Sequence, residues 1–151
     1  GARLHAMPHL TPIRLREGAL DKGVPDASIL VSPDHRMMLR GARAQALFNT
    51  DEVLVAARDL VNDHNVIVDR SVRDVTYVHM LLPRHEVVFA NGVESESFHP
   101  ASAGLENLGE EDRARLFERV PEIAADATAY GAYARRVVSS TEAAILRHDA
   151  A

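Results

Sequence analysis

Residues 66–98 constrain the fold more than any other part of the sequence, because β-branched and aromatic residues recur along them. These residues are Val66, Val68, Val72, Val75, Tyr77, Val78, Val87, Val88 and Phe89. Such side chains fit the surface of a pleated sheet, and an Asn91-Gly92 pair is a strong signal for a two-residue hairpin turn. The segment therefore predicts long β-ribbons with polar corners.

Two stretches nearer the start also predict strands. Residues 13–16 alternate apolar and basic side chains, as expected of a strand with one face on a core and the other in water. Residues 29–31 and 37–39 are apolar and flank a polar turn at 32–35, Ser-Pro-Asp-His. The simplest interpretation is two strands hinged at His35.

Helical patterns are short in the first hundred residues. Residues 42–48 predict one or two helical turns that end at Asn49. Asn49 and Glu52 have the spacing of a capping box, and apolar residues follow at helical intervals. This favours a helix within residues 52–62, although residues 53–55 could instead begin a strand.

After Pro100 the composition changes to Ala, Glu and Arg. Leu116, Phe117 and Val120 predict an amphipathic helix that ends near Pro121. A second, longer helix is predicted from the spacing of Tyr130, Ala134, Val137, Val138, Thr141 and Ile145. We therefore expect a β domain over residues 1–100 and a helical C-terminal extension over residues 101–151.

Composition excludes several classes of function. A formal net charge of -5 disfavours nucleic acid as a partner, because phosphate binding depends on clustered Lys and Arg. No run of 18 apolar residues is present, so membrane insertion is not expected. The absence of cysteine from the 151 residues excludes disulfides, thiolate metal sites and thiol nucleophiles within them.

The turn at residues 32–35 is the first candidate for chemistry. A strand that enters a Ser-x-x-His turn can hold an imidazole beside a backbone amide, while the Ser32 hydroxyl reaches the same place. That arrangement suits activation of an amide bond. The alternative is a Pro-containing β-turn in which His35 has no chemical role. Two further histidines, His79 and His85, are expected on neighbouring strands, and each taken singly is a packing or surface residue.

Together these segments resemble the Hint (hedgehog/intein) superfamily, and specifically the bacterial hedgehog/intein-type domains found at the ends of larger proteins. Residues 32–35 are similar to the family's Thr-x-x-His block, with serine in place of threonine. Residues 77–92 resemble the late block, in which a Tyr-bearing strand precedes a His, aromatic residues and an Asn-Gly pair. Residues 1–15 are similar to the stretch after a Trp-Ile-Gly-type strand, and the resemblance extends over roughly residues 1–108.

The resemblance implies a mainly β, Hint-type horseshoe of long β-ribbons, incomplete at its N-terminus, with an α-helical appendage. In that family an N-terminal Cys or Ser attacks the preceding peptide carbonyl and forms a thioester or ester. His35 would protonate or polarise the scissile amide nitrogen, Ser32 would hydrogen-bond near it, and His85 would act from the late block. The supporting residues would be Asp34, Tyr77, His79 and Asn91. No cofactor and no metal ion are implied.

Two departures from the family limit the expected chemistry. The nucleophile would precede residue 1 by several tens of residues, so the chain would be an inactive fragment whose partner is the upstream segment of the same polypeptide. Where splicing inteins have a penultimate His, a cyclising Asn and then an acceptor, this sequence has Glu96, Ser97 and Phe98. Because serine cannot form a succinimide, cleavage without splicing is expected.

Two alternatives remain open at this point. One is a non-catalytic binding or structural module that retains the Hint fold, with the helical extension docked on a partner or shielding an edge strand. The other is a metal site drawn from His35, His79, His85 and His99, with Asp34 or Glu86. The resemblance implies an exported or surface-associated bacterial protein, although no residue indicates export. Core exposed where the first strands would lie would favour a homo-oligomer.

Overall fold

The computed structural model of the protein describes residues 2–3, 7–102 and 105–148, without the side chains of residues 2, 3, 106, 147 and 148. Gly1, where the stretch similar to the family begins, and residues 149–151 of the predicted extension lie outside the described part. None of the described helices combines the length and the apolar character that a membrane crossing requires.

Short strands dominate the described chain. In chain order they are β1 (Ala2–Arg3), β2 (Ile13–Leu15), β3 (Ile29–Val31), β4 (Arg36–Arg40), β5 (Glu52–Ala56), β6 (Val66–Val68), β7 (Asp74–Val75), β8 (Val87–Ala90), β9 (Val93–Glu96) and β10 (Arg136–Val137). The α-helices are α1 (Ala42–Phe48), α2 (Glu110–Arg119) and α3 (Ser140–His148). The predicted mainly β fold with C-terminal helical structure is confirmed.

The strands form three sheets. A five-stranded sheet has the order β10-β5-β4-β9-β8, a three-stranded sheet has the order β3-β2-β6, and β1 pairs with β7. Neighbours are antiparallel except for β10, which is parallel to β5. The two strands predicted on either side of His35 are β3 and β4, but they belong to different sheets. The turn at residues 32–35 therefore carries the chain from one sheet to the other.

Two core clusters of buried apolar residues hold the sheets and helices together. Burial of apolar surface stabilises the folded state by about 25 cal/mol per Å². One lies between the five-stranded sheet and helices α1 and α3, and contains Leu39, Ala44, Phe48, Val53, Val55, Val138, Ala143 and Leu146. The other joins the three-stranded sheet to β4 and β9, and contains Ile13, Leu15, Met37, Ala57, Val66 and Val93. Since β10 and α3 share the sheet and core of β5, the C-terminal part packs directly on the β elements. The division of the chain after residue 100 stays a prediction.

The α-helix predicted within residues 52–62 is wrong, and the alternative, a strand that begins at residues 53–55, is confirmed. Residues 52–56 form β5, and a 3-10 helix follows at Ala57–Leu60. The side chains at 53–55 are all fully buried, so this segment is a continuous apolar run, as expected of a central strand. It therefore lacks the alternation of apolar and polar residues by which a half-buried strand is recognised. Asn49 is not an N-cap: it ends α1 in the left-handed conformation, φ 52° and ψ 40°, which asparagine tolerates.

The second helix predicted from residue 130 onward is present, but its predicted start and length are wrong. Residues 127–130 form a 3-10 helix, residues 136–137 form β10, and α3 begins only at Ser140. The positions that matched a helical period have different surroundings: Val138 is buried in the first core cluster, Tyr130 packs against Phe98, Leu116 and Ile123, and Ile145 is exposed. The first predicted helix of this region is confirmed as α2, which ends before Pro121.

His79 and His85 are not on strands, contrary to expectation. Strand β7 ends at Val75 and β8 begins at Val87, so both histidines lie in the connection between them. The predicted hairpin at Asn91-Gly92 is confirmed, because these residues have φ of 49° and 70° and join β8 to β9.

Candidate functional site

A small cavity lies where the turn at residues 32–35 meets the end of β9. It is lined by Ser32, Asp34, His35, His79, Glu96, Ser97, Phe98, His99 and Ser102. Its volume of about 20 Å³ is close to the space that one water molecule occupies. Four of the residues predicted from sequence, Ser32, Asp34, His35 and His79, are therefore brought together.

His35 is held in place by the backbone of its turn. The His35 N–H donates to the Ser32 carbonyl at 3.1 Å, and the His35 carbonyl accepts from the Ala57 N–H at 2.9 Å. Burial lowers the pKa of His35; the charge of Glu96 opposes this shift, while His79 and Arg36 add to it. The imidazole is therefore neutral near pH 7 and able to accept a proton.

Glu96, at the end of β9, is the buried charge of the site. Its side chain accepts from the Arg36 N–H at 3.0 Å, from the Arg36 guanidinium at 3.2 Å and from the His85 ring at 3.2 Å. Burial alone would raise the pKa of Glu96, but the hydrogen bond from His85 and the charges of Arg36 and His35 outweigh it, so the pKa is lowered. The residue is therefore a carboxylate at neutral pH.

His85 reaches the site through Glu96 and does not line the cavity. Its Nδ1 atom accepts from the Ala134 N–H at 2.9 Å. Since a neutral imidazole has one donor and one acceptor nitrogen, Nε2 carries the proton and donates it to Glu96. His85 and His35 thus converge on one carboxylate from separate segments of the chain.

His79 supplies a second imidazole at the cavity. Its ring centroid lies 5.0 Å from that of Phe98, and desolvation lowers its pKa while the charge of Glu96 opposes that shift. The cavity thus places two neutral imidazoles beside one carboxylate. Such a set can accept a proton from a nucleophile, or from water, and return it to a leaving group.

Three of the predicted residues have roles that are visible in their contacts. Asp34 lines the cavity but also forms an ion pair with Arg58. The Tyr77 hydroxyl donates to the Leu10 carbonyl at 2.6 Å, and burial raises the pKa of Tyr77 to about 12. Asn91 lies in the hairpin turn, at the end of β9 opposite Glu96. Tyr77 and Asn91 are therefore not brought to the cavity.

A larger cleft opens on the other side of His35. Its volume is about 430 Å³, and it is lined by Arg14, Ser28, Ile29, Leu30, Val31, His35, Met37, Ala90, Asn91, Val93 and Ser95. The cleft follows β3, which is one of the two edge strands of the three-stranded sheet. A polypeptide in extended conformation could therefore reach His35 along this edge.

Sequence reasoning missed the residues that support the cavity. These are Arg36, Glu96, Ser102 and Tyr133, of which Glu96 was noted only as a departure from the splicing inteins. Arg36 follows His35 directly in the sequence, so an acidic residue that pairs with Arg36 could have been sought. No local pattern indicates Tyr133, because its partners are far away in the sequence.

The metal alternative gains no support from the geometry. Among the residues the structure describes, no three His, Asp or Glu side chains are grouped so as to hold a metal ion. Both ring nitrogens of His85 are engaged, and so are those of His99, which donates to the Gly131 carbonyl at 3.0 Å and accepts from the Ala101 N–H at 3.1 Å.

Comparison with protein families gives one description for this chain, the Hint domain, whose model matches residues 1–102. The matched part includes the turn at residues 32–35, His79, His85 and Glu96, and excludes Tyr133 and Ala134. Comparisons with curated proteins and with solved structures give no match. Because the family model covers about two thirds of the sequence and the fold is mainly β, the chain belongs to the Hint domain family.

Proposed function

We propose that this chain carries the amide-activating part of a self-processing domain that cleaves the peptide bond before an upstream Cys or Ser, without splicing. The observation that carries the proposal is the cavity in which Ser32, His35 and His79 lie beside the Glu96 carboxylate. An amide is a poor electrophile with a poor leaving group, so a positioned hydroxyl and a neutral imidazole are what its cleavage requires.

The proposed reaction is an N-to-S or N-to-O acyl shift. The thiol or hydroxyl of the upstream residue attacks the carbonyl carbon of the residue before it, and His35 takes the proton. The carbon–nitrogen bond then breaks, and His35 returns that proton to the leaving amide nitrogen. Ser32 donates a hydrogen bond near the same amide. Water hydrolyses the resulting thioester or ester and releases the preceding segment as an acid.

The end of β9 supports cleavage without splicing. The Ser97 hydroxyl accepts from the Glu86 N–H at 3.0 Å, and the Ser97 N–H donates to the Glu86 carbonyl at 2.8 Å. Phe98 is buried in an apolar cluster with Leu116 and Ile123. Ser97 lacks the side-chain amide that asparagine cyclisation needs, and its hydroxyl is engaged in a hydrogen bond. Phe98 lacks the nucleophile that acyl transfer needs.

We expect the 151-residue chain by itself to be inactive. It contains no cysteine, and the acyl shift needs its nucleophile directly after the scissile bond. Ser97 and Ser102 at the cavity are both engaged in hydrogen bonds. The upstream segment of the same polypeptide is therefore the proposed partner.

The second candidate function is a non-catalytic module. It is favoured by β10, which pairs with β5. A C-terminal extension that shields an edge strand would make this kind of pairing. In that case the histidines would be packing residues, and the intact parent protein would not cleave at all.

The test is a parent chain extended upstream through the nucleophile, with a reporter protein fused ahead of it. Incubation with hydroxylamine should release the reporter as a hydroxamate, because hydroxylamine traps esters and thioesters. His35→Ala should abolish release, and His64→Ala is the matched control because His64 is exposed and lies outside the cavity. An uncleaved parent, or full release from His35→Ala, would contradict the proposal.

A further inference from the structure

The loop of residues 131–134 (Gly131, Ala132, Tyr133 and Ala134) lies beyond the part of the chain that the family model matches. Its last residue, Ala134, determines the tautomer of His85. The Ala134 N–H donates a hydrogen bond to His85 Nδ1 at 2.9 Å, so this nitrogen carries a lone pair and no proton. The ring proton is therefore on Nε2, where it is donated to Glu96 at 3.2 Å. In the other tautomer, the lone pair of His85 Nε2 would face a lone pair of the Glu96 carboxylate, and Glu96 would lose a hydrogen-bond donor.

The side chain of Tyr133 holds the second donor to Glu96. Its ring centroid lies 5.3 Å from the guanidinium carbon of Arg36, within reach of a cation–π contact. The Tyr133 hydroxyl accepts from the Ser102 hydroxyl at 3.2 Å, and Ser102 in turn accepts from the Arg36 guanidinium. Arg36 is thus fixed from two directions while it donates to Glu96.

The same loop is anchored on the far side of the cavity by His99. The ring of Tyr133 stacks on that of His99, with centroids 4.1 Å apart and planes inclined by 22°. His99 also donates to the Gly131 carbonyl, and only 2% of its surface is exposed. The loop therefore cannot move without disturbing a buried residue that lines the cavity.

We propose that the 131–134 loop is a positioning element of the site, which fixes the donor nitrogen of His85 and the guanidinium of Arg36 so that the Glu96 carboxylate is held against His35 and His79. None of the four loop residues lines the cavity, so the loop acts only through other side chains. The consequence for cleavage rests on the proposed function; the hydrogen-bond arrangement does not.

The tautomer of His85 can be measured without any activity. Two-bond ¹⁵N–¹H correlation spectra of this chain report which ring nitrogen of each neutral histidine carries the proton, and His85→Gln assigns the signal. We expect His85 to carry its proton on Nε2. Ala134→Pro removes the donor and should cause loss of that form. Ala132→Pro is the matched control, since the Ala132 N–H donates no hydrogen bond among the described residues. An Nδ1-protonated His85 in the unmodified chain, or identical spectra for both proline variants, would overturn the inference.

A second pair of variants covers the case in which Ala134→Pro does not fold. In the cleaving parent, Tyr133→Leu should slow cleavage about tenfold, which is less than the roughly 100-fold cost of misplacing a reacting group by about 1 Å. Tyr130→Leu removes a ring that also contacts His99, but its hydroxyl donates to the Leu82 carbonyl, and it should have little effect. Equal slowing by both variants would show a general structural effect and overturn the inference. If the unmodified parent does not cleave, the proposed function fails and the spectra alone decide.

Discussion

At the scale of single residues, the site depends on one buried carboxylate. Glu96 is 5% exposed; its charge is compensated by Arg36, and the His85 ring donates a hydrogen bond to it. Burying an unpaired charge is costly, so each partner of such a group is needed to keep the others in place. The stability of the fold and the electrostatics of the cavity are therefore linked through Glu96.

Substituting Glu96→Gln tests this link with little change of shape. The amide leaves the Arg36 guanidinium without its counter-charge, and we expect a loss of about 3 kcal/mol in the free energy of unfolding, the lower end for a broken buried ion pair. Glu94→Gln on the same strand is the control. It removes a partner of Arg40, whose side chain is 54% exposed, and should cost less than about 1 kcal/mol. Urea denaturation measures both, and equal losses would contradict the role of Glu96.

Local chemistry at this scale could be predicted, and long-range chemistry could not. Ser32 and His35 belong to one turn, so their spacing alone indicates that they reach the same place. Glu96 gains its importance from Arg36, 60 residues away, and from His85, 11 residues away. A local sequence pattern does not indicate which distant donors form hydrogen bonds with a carboxylate.

At the scale of elements, helix α3 illustrates a signal that was present but missed. The Ser139 hydroxyl accepts from the Glu142 N–H at 3.3 Å, while the Glu142 carboxylate accepts from the Ser139 N–H at 2.9 Å. This reciprocal pair is a capping box, and its Ser-x-x-Glu spacing is visible in the sequence. It would have placed the start of the helix at Ser140.

Removal of this cap should destabilise the protein. Ser139→Ala leaves the first turn of α3 without an acceptor, and we expect a loss of about 1 kcal/mol in the free energy of unfolding. The loss should be measurable for the whole fold, because Ala143 and Leu146 of α3 are buried in the core. Thr141→Ala is the control, since the Thr141 side chain makes no hydrogen bond among the described residues. Equal stability of the two variants would mean that the cap contributes nothing.

Strands were predicted less well than helix α2, for a physical reason. Strand β5 is buried from Val53 to Ala56, so the alternation that identifies a half-buried strand is lost. Strand β10 has only two residues and exists because Arg136 and Val137 pair with β5, more than eighty positions away. The hairpin at Asn91-Gly92 was predictable because the turn depends on the two residues themselves.

At the scale of the whole molecule, the cavity lies where the chain passes from the three-stranded to the five-stranded sheet. The second core cluster joins those sheets and so fixes the turn that carries His35. The C-terminal part adds the 131–134 loop from the other side. The candidate site is thus assembled from the matched family region together with residues outside it.

The pH dependence of cleavage by the intact parent tests the central role of His35 most directly. As the proton acceptor, His35 must be neutral, and burial lowers its pKa below 6.5. The rate should therefore stay high as the pH falls to 6.5 and decline only below it, as His35 takes up a proton. The same decline should appear in His64→Ala, while His35→Ala should show no cleavage at any pH. A rate of cleavage that rises on acidification would contradict the account. So would a His35→Ala variant that still cleaves and shows the same decline in rate at acidic pH.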